Sequence, residues 1–296
     1  MTGDYALLAV SALLFSLMFL FNGSYQKSRG TGLDAVLAFS VYTGIASVLL
    51  LFLLAAIGAV SAWSVLSAFA LSFSLFSFLL AILAAAVNIG FSYFALKALG
   101  EANLSLFSIF AMLGGMLLPS LYGILFREEP LTAGKALAYL LLAIALALTF
   151  ERGGRSKGAA FYYGGVFLMN GLSGVVSALH QGNPVEAVSS GSFLLLSRAV
   201  TAALCLAWFL VKYKKFPPLR GRECGSVTGN ALCSTLGNLL VLIALLRVQA
   251  SVQYPMITGG TMIFSTAISF LLKEKPRMRT VLSSLVAAAA TVCMMF

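Results

Sequence analysis

The chain is written in uninterrupted apolar runs of about twenty residues, and no other feature narrows its possible folds as far. A backbone in contact with lipid must satisfy its own hydrogen bonds, so runs of this length are helices or the strands of a closed barrel. None of them alternates with period two, which leaves helices. Hydrophobic residues make up 60% of the chain and charged residues 9%, far from the one-quarter charged share of an ordinary soluble domain. The 296 residues hold about ten spans with short connections, at roughly 20 residues each.

The expected spans are Tyr5 to Tyr25, Ala35 to Ile57, Leu71 to Leu96, Ala102 to Phe126 and Leu131 to Phe150, then Ala159 to Leu179, Ala187 to Val211, Ser226 to Leu246, Val252 to Leu272 and Met278 to Met295. The stretch from Trp63 to Ala98 is too long for one span, so its first turns are interfacial or it holds two short helices. The N-terminus has an acid and no cation ahead of its apolar run and no cleavage signature after it, so it reads as a first transmembrane helix. Cys205, Cys224, Cys233 and Cys293 are scattered, which points to free thiols and neither a metal site nor a disulfide framework.

The two halves repeat each other in order. Asn22-Gly23 recurs at Asn170-Gly171, the Asp34 triplet as the Glu186 triplet, Asn88 at Asn238, Gly114-Gly115 at Gly259-Gly260, and the segment from Arg127 to Pro130 as Lys273 to Pro276. A duplicated unit of five helices has an odd count, so its second copy enters the membrane from the opposite face. The expected architecture is therefore an all-α integral membrane protein of two inverted five-helix repeats around a central cavity. Residues 1–150 form the first repeat, 151–158 a cytoplasmic connector and 159–296 the second. Inverted repeats of this kind place a solute near the bilayer midplane and expose it to each side in turn.

The net charge of +10 lies in short loops, where it reports orientation and not nucleic-acid binding. One set of loops carries Lys27, Arg29, Lys97, Arg152, Arg155, Lys157, Lys212, Lys214, Lys215, Arg220, Arg222, Lys273, Lys275, Arg277 and Arg279. The other carries only Arg127, Lys135 and Arg247. Cation-rich loops stay in the cytoplasm, so both termini are expected outside.

The closing segments of the halves, from Ala95 to Leu146 and from Ala244 to Val292, resemble the two EamA-type repeats of the drug/metabolite transporter superfamily. The resemblance covers essentially the whole chain. Glu128 and Glu274 occupy the places of the family's Glu after the fourth helix of each repeat, and Tyr254 to Gly260 is similar to the third helix of small multidrug resistance proteins. The resemblance implies a ten-helix basket in the cytoplasmic membrane of a prokaryote, its cavity lined mainly by the first, third and fourth helices of each repeat. The chain departs from the family in having Gly114 and Gly259 or Gly260 where Pro is frequent, and in lacking a membrane-embedded Glu in its first and sixth spans. Its loop charges also reverse the usual cytoplasmic termini, as though this branch were inserted upside down.

Arg198 is the sharpest single signal, because a cation at mid-span costs about 2.5 to 3.5 kcal/mol on insertion scales and must face the bundle interior or a wet cavity. It either clamps carbonyls or meets an anionic part of a solute. Asn22, Asn170, Asn88 and Asn238, each at a repeat-related position, are interhelical links singly and a polar cavity lining as a set. Tyr93, Tyr254 and Phe19, with Tyr42, Tyr122, Tyr163 and Phe15, could supply an aromatic wall. Gly114, Gly115, Gly259 and Gly260 permit either close packing or helix flexibility. His180, the only His, and Asp34 are the groups through which a proton could be coupled, although His180 sits at a helix end.

These features point to a secondary transporter, an exporter of an amino acid, metabolite or drug-like compound, with no cofactor or metal and with the bilayer and a small solute as partners. A monomer suffices. A flippase for a lipid-linked sugar and a non-transporting partner subunit are the alternatives. A membrane enzyme would need paired carboxylates, a Ser/His or Cys/His arrangement or a metal cluster near one interface, and the chain has one His and no acid pair besides Glu128-Glu129, which reads as a solvated turn.

Overall fold

A computed structural model describes residues 2–60, 72–101, 104–128, 130–149, 157–183, 185–245, 250–273 and 278–293, with side chains described except at 2–4, 58–60, 105, 146, 149, 157–158, 181, 190, 242–245 and 250–255. Ten helices are present among the described residues: α1 Thr2–Arg29, α2 Leu33–Val60, α3 Leu75–Glu101, α4 Leu104–Phe126, α5 Ala133–Thr149, α6 Lys157–Gln181, α7 Ser190–Tyr213, α8 Gly221–Leu245, α9 Ala250–Leu271 and α10 Met278–Cys293. No strand occurs among them. Six, α1 to α4 with α6 and α7, contain stretches long and apolar enough to cross a membrane, and α5, α9 and α10 hold shorter apolar segments.

The helix limits follow capping chemistry that an apolar count does not see. Gly30, at φ 86°, lets its N–H turn back to Gln26 O at 2.7 Å, so α1 runs four residues past the expected Tyr25 and carries Lys27 and Arg29 on its last turn. Ser74 starts α3 by accepting the Ser77 N–H at 3.1 Å, and Thr132 starts α5 by accepting the Lys135 N–H at 3.2 Å. Ser189 caps α7 through the Ser192 N–H. Glu223 reaches back to the Arg220 N–H at 3.1 Å, beginning α8 five residues ahead of the expected Ser226. Lys97, expected in a loop, lies within α3. Whether Trp63 begins a separate short helix lies outside the described residues.

The repeated Arg127 and Lys273 segments end their helices alike. Glu128 at φ 55° and Lys273 at φ 59° both adopt the left-handed conformation, each two residues beyond its helix. The backbone therefore pairs Glu128 with Lys273, one residue away from the Glu128 and Glu274 match of the sequence, and in step with the Gly114 and Gly259 pairing.

The packing pattern maps nearly onto itself when each helix is exchanged for the one five places on. α1 lies on α8 and α9, as α6 lies on α3 and α4; α2 lies on α7 and α8, as α7 lies on α2 and α3; α4 meets α9 and α5 meets α10. Small residues let α5 and α10 pack closely on α4 and α9, around Ala138, Ala145, Ala287 and Ala290. Ser283 Oγ donates to Ala145 O at 2.7 Å across that contact. A second core joins α1, α3, α4 and α6 around Phe19, Phe107 and Tyr163. The eight helices other than α5 and α10 enclose a central space.

Candidate functional site

That space is a cavity of about 340 Å³ walled by α1 to α4 and α6 to α9. Its volume falls in the range of small-molecule sites. The second helix of each half contributes as heavily as the others, through Phe39, Ser40 and Thr43 on α2 and through Phe193, Ser197, Arg198 and Thr201 on α7. The first, third and fourth helices of each half still supply most of the lining, and the second helices add to it.

Arg198, Asn22, Asn88, Asn170, Asn238, Phe19, Gly115 and His180 all line this cavity. The asparagines are spent in different ways. Asn22 Oδ1 accepts from Asn230 Nδ2 at 2.8 Å, and the same Nδ2 lies 3.2 Å from Met18 O. Asn170 Nδ2 donates to Ala111 O at 2.6 Å, joining α6 to α4. Asn238 Nδ2 turns back to Ser234 O of its own helix at 2.6 Å. Asn88 and Arg198 form no hydrogen bond or ion pair with any described residue, and Arg198 is the one Lys or Arg among the lining residues, which include no Asp or Glu.

Asn230 is the residue the sequence reading missed. Its signal was available, since Asn230, Ser234 and Asn238 recur every four residues along α8 and all three line the cavity, a polar stripe at helical spacing. Asn230→Leu removes both amide contacts and is expected to cost about 1 kcal/mol, at roughly 0.6 kcal/mol for each interhelical bond. Thermal unfolding of the purified variant in detergent reads this directly.

His180 is not an interfacial side chain. It is buried, its ring 4.0 Å from that of Phe193 at 16°, with Phe76 on the same stack at 6.5 Å. Ser77 Oγ accepts from the Val188 N–H at 3.1 Å and from Ser74 Oγ at 2.9 Å, which leaves its own proton for His180 Nε2 at 3.2 Å. This arrangement assigns a neutral imidazole that accepts at Nε2 and carries its proton on Nδ1. The stack ties the end of α6 to the start of α3 and to the segment before α7.

The opposite end of the helices that wall the cavity is held by other chemistry. Beyond Asn22 along α1, Tyr25, Val36, Phe39, Leu96 and Val227 form a buried cluster, with the Tyr25 hydroxyl donating to Ala35 O at 3.0 Å. One turn further, Arg29 Nη1 donates to Glu223 Oε2 at 2.8 Å and to Pro218 O at 2.6 Å. The pair is almost fully buried, at 7% and 0% side-chain exposure.

Several expected site residues belong elsewhere. Asp34 does not line the cavity; it stands 3.9 Å from Arg29 Nη2, half exposed, because it opens α2 beside the end of α1. Tyr93 packs on the Tyr25 and Phe39 cluster, two residues and nearly half a turn from Phe91, which does face the cavity. Tyr163 is buried with its hydroxyl on Ala98 O at 3.1 Å, and Tyr42 holds Pro217 O at 2.5 Å. The side chain of Tyr254 lies outside the described residues. The paired glycines are contact points within continuous helices. A Cβ on Gly114 would lie 2.6 Å from the Phe167 carbonyl carbon, one on Gly115 2.5 Å from Asn170 Nδ2, one on Gly259 2.5 Å from Thr291 Oγ1 and one on Gly260 2.9 Å from Ala12 Cβ.

No family model matches the chain, and no curated protein does. Fifteen solved chains match it in structure. One of them, a crystal structure of a protein, is 16% identical with a TM-score of 0.65, over 99% of this chain and 96% of that one. At that identity the likeness shows the fold alone, over nearly the whole of both chains.

Proposed function

We propose that this chain is an integral membrane transporter that moves a small organic solute by alternating access, an EamA-type member of the drug/metabolite transporter superfamily built as two inverted five-helix repeats. The observation that carries this reading is one cavity walled by four helices of each half, with an unpartnered cation and amides at mid-helix depth. The exchange symmetry of the packing supports the repeat, because a site shared by two pseudo-equivalent halves can be exposed by rocking one against the other. The two ends of the helices that wall the cavity are tied differently, by the Arg29 and Glu223 pair at one and by the His180 stack at the other, so each can open without the other. Of the two groups considered for proton coupling, only His180 reaches the cavity.

Reconstitution into liposomes tests the reading. Vesicles preloaded with the solute that most stabilises the detergent-purified protein should take up the labelled solute by counterflow. Empty-protein vesicles should not, and uptake equal in both would remove transport from consideration.

Orientation has a test built into the native sequence. Cys224 is exposed at the start of α8, whereas Cys205 and Cys233 are buried. In a Cys293→Ser background, a membrane-impermeant maleimide is expected to leave Cys224 unlabelled in intact cells and to label it after permeabilisation, because the cation-rich end should be cytoplasmic. Labelling of intact cells would place that end outside.

A further inference from the structure

Resting on the cavity reading above, we infer that the solute is a small organic monoanion, a monocarboxylate with an apolar body, held by Arg198. Among the residues that line the cavity Arg198 is the only Lys or Arg, and no Asp or Glu accompanies it. Its guanidinium meets no hydrogen-bond acceptor or carboxylate among the described residues. A charge withdrawn from water is costly unless paired, so a cavity that keeps one unpaired cation is completed by one negative charge brought in from outside.

The remaining chemistry is donor-rich. Asn22 has committed its carbonyl oxygen, and Asn170 and Asn238 one amide donation each, to protein partners. Asn88 on α3 has not, and α3 packs directly against α7, which carries Arg198. A planar fork of five N–H donors matches a carboxylate bidentately, and the amide of Asn88 offers further donors. Phe15, Phe19, Phe91 and Met112 supply the apolar wall for the rest of the solute. A zwitterionic amino acid would bring an ammonium for which the lining has no carboxylate, and a dianion would exceed the single cation. Both are disfavoured on charge alone.

The test uses matched pairs that differ only in charge: butyrate against butyramide, benzoate against benzamide and phenylacetate against phenylacetamide, with phenylalanine and tetraethylammonium as the zwitterionic and cationic probes. A ligand that binds only the folded state raises its stability. At least one carboxylate is expected to raise the unfolding midpoint of the full chain in detergent by a few degrees and its amide not to do so. The shift should vanish in Arg198→Gln. Leu194 lines the cavity four residues before Arg198, on the same face and in the favoured order for a Glu-to-Arg pair. Leu194→Glu should therefore supply the missing counterion and abolish the carboxylate shift, while Leu194→Gln retains it. That comparison decides the matter even if Arg198→Gln does not fold.

No carboxylate shift, an amide or the cation stabilising as well as the carboxylate, or a shift that survives in either Arg198→Gln or Leu194→Glu would each overturn the inference. Failure of transport looks different. Carboxylate-specific stabilisation without counterflow in liposomes keeps the ligand class and removes the transporter. Counterflow of phenylalanine or tetraethylammonium without any carboxylate shift keeps the transporter and removes the anion.

Discussion

Arg29→Ala is expected to destabilise the protein by about 3 to 5 kcal/mol, the cost of removing one partner of a buried ion pair. The size follows from what is left behind. Glu223 is fully buried, its Oε1 has no hydrogen-bond partner, and without Arg29 its Oε2 would keep only the Arg220 N–H at 3.1 Å. The guanidinium also holds Pro218 O at 2.6 Å, so the segment that leads into α8 loses its tie to α1 in the same step. Two comparisons separate this from a generic loss of charge. Asp34→Ala removes an exposed partner at 3.9 Å and should cost under about 1 kcal/mol, as surface pairs do. Arg29→Leu with Glu223→Leu removes both charges and should recover most of the loss, because an apolar replacement of a buried pair is often near neutral. Denaturant unfolding of the detergent-purified variants gives the order, and an Arg29→Ala protein as stable as wild type would show that the pair carries no structural weight.

Gly114→Ala is expected to cost about 3 kcal/mol, at the upper end of overpacking penalties. The new Cβ would overlap the Phe167 carbonyl oxygen and lie 2.6 Å from its carbon and 2.8 Å from the Phe167 Cα. Those are backbone atoms, so no rotamer change relieves the clash and α4 must move away from α6. One turn away the same interface holds the 2.6 Å bond from Asn170 to Ala111 O, which cannot survive much separation. Gly164 and Gly225 lie within α6 and α8 with nothing within 4 Å of an added Cβ. Alanine there should be neutral or stabilise by up to about 1 kcal/mol through helix propensity. Equal effects at Gly114 and Gly164 would rule out the close approach of α4 and α6 as the reason for the glycine.

The comparison of these glycines shows where sequence reading stops. Gly114, Gly115, Gly259 and Gly260 stand out in the chain as repeated pairs, yet a pair of glycines is equally compatible with a hinge and with a contact. Only the position of Phe167, Asn170, Thr291 and Ala12 against them makes the choice. The same holds along α3, where Phe91 faces the cavity and Tyr93 faces a packed cluster. Asn88 and Ser92 mark the face that Phe91 shares, but the rest of that helix is so evenly apolar that its periodicity does not say what Tyr93 meets. His180 is a comparable case: its place at a helix end suggests an interface, and the burying partners, Phe193 and Ser77, come from α7 and α3.

The sequence by itself determined the all-helical character and the approximate limits of the ten helices among the described residues, because apolar length is a property of each segment alone. It also marked Arg198 as a cation that needed an interior explanation. The tertiary structure alone decided which asparagines are spent on the protein and which of them faces the cavity unpaired, that Asp34 belongs to the Arg29 cluster, and that Asn230 completes Asn22. Asn22, Asn170 and Asp34 find their partners in a different helix, and the energy of such a buried polar group is set by that partner and not by its own neighbours in sequence.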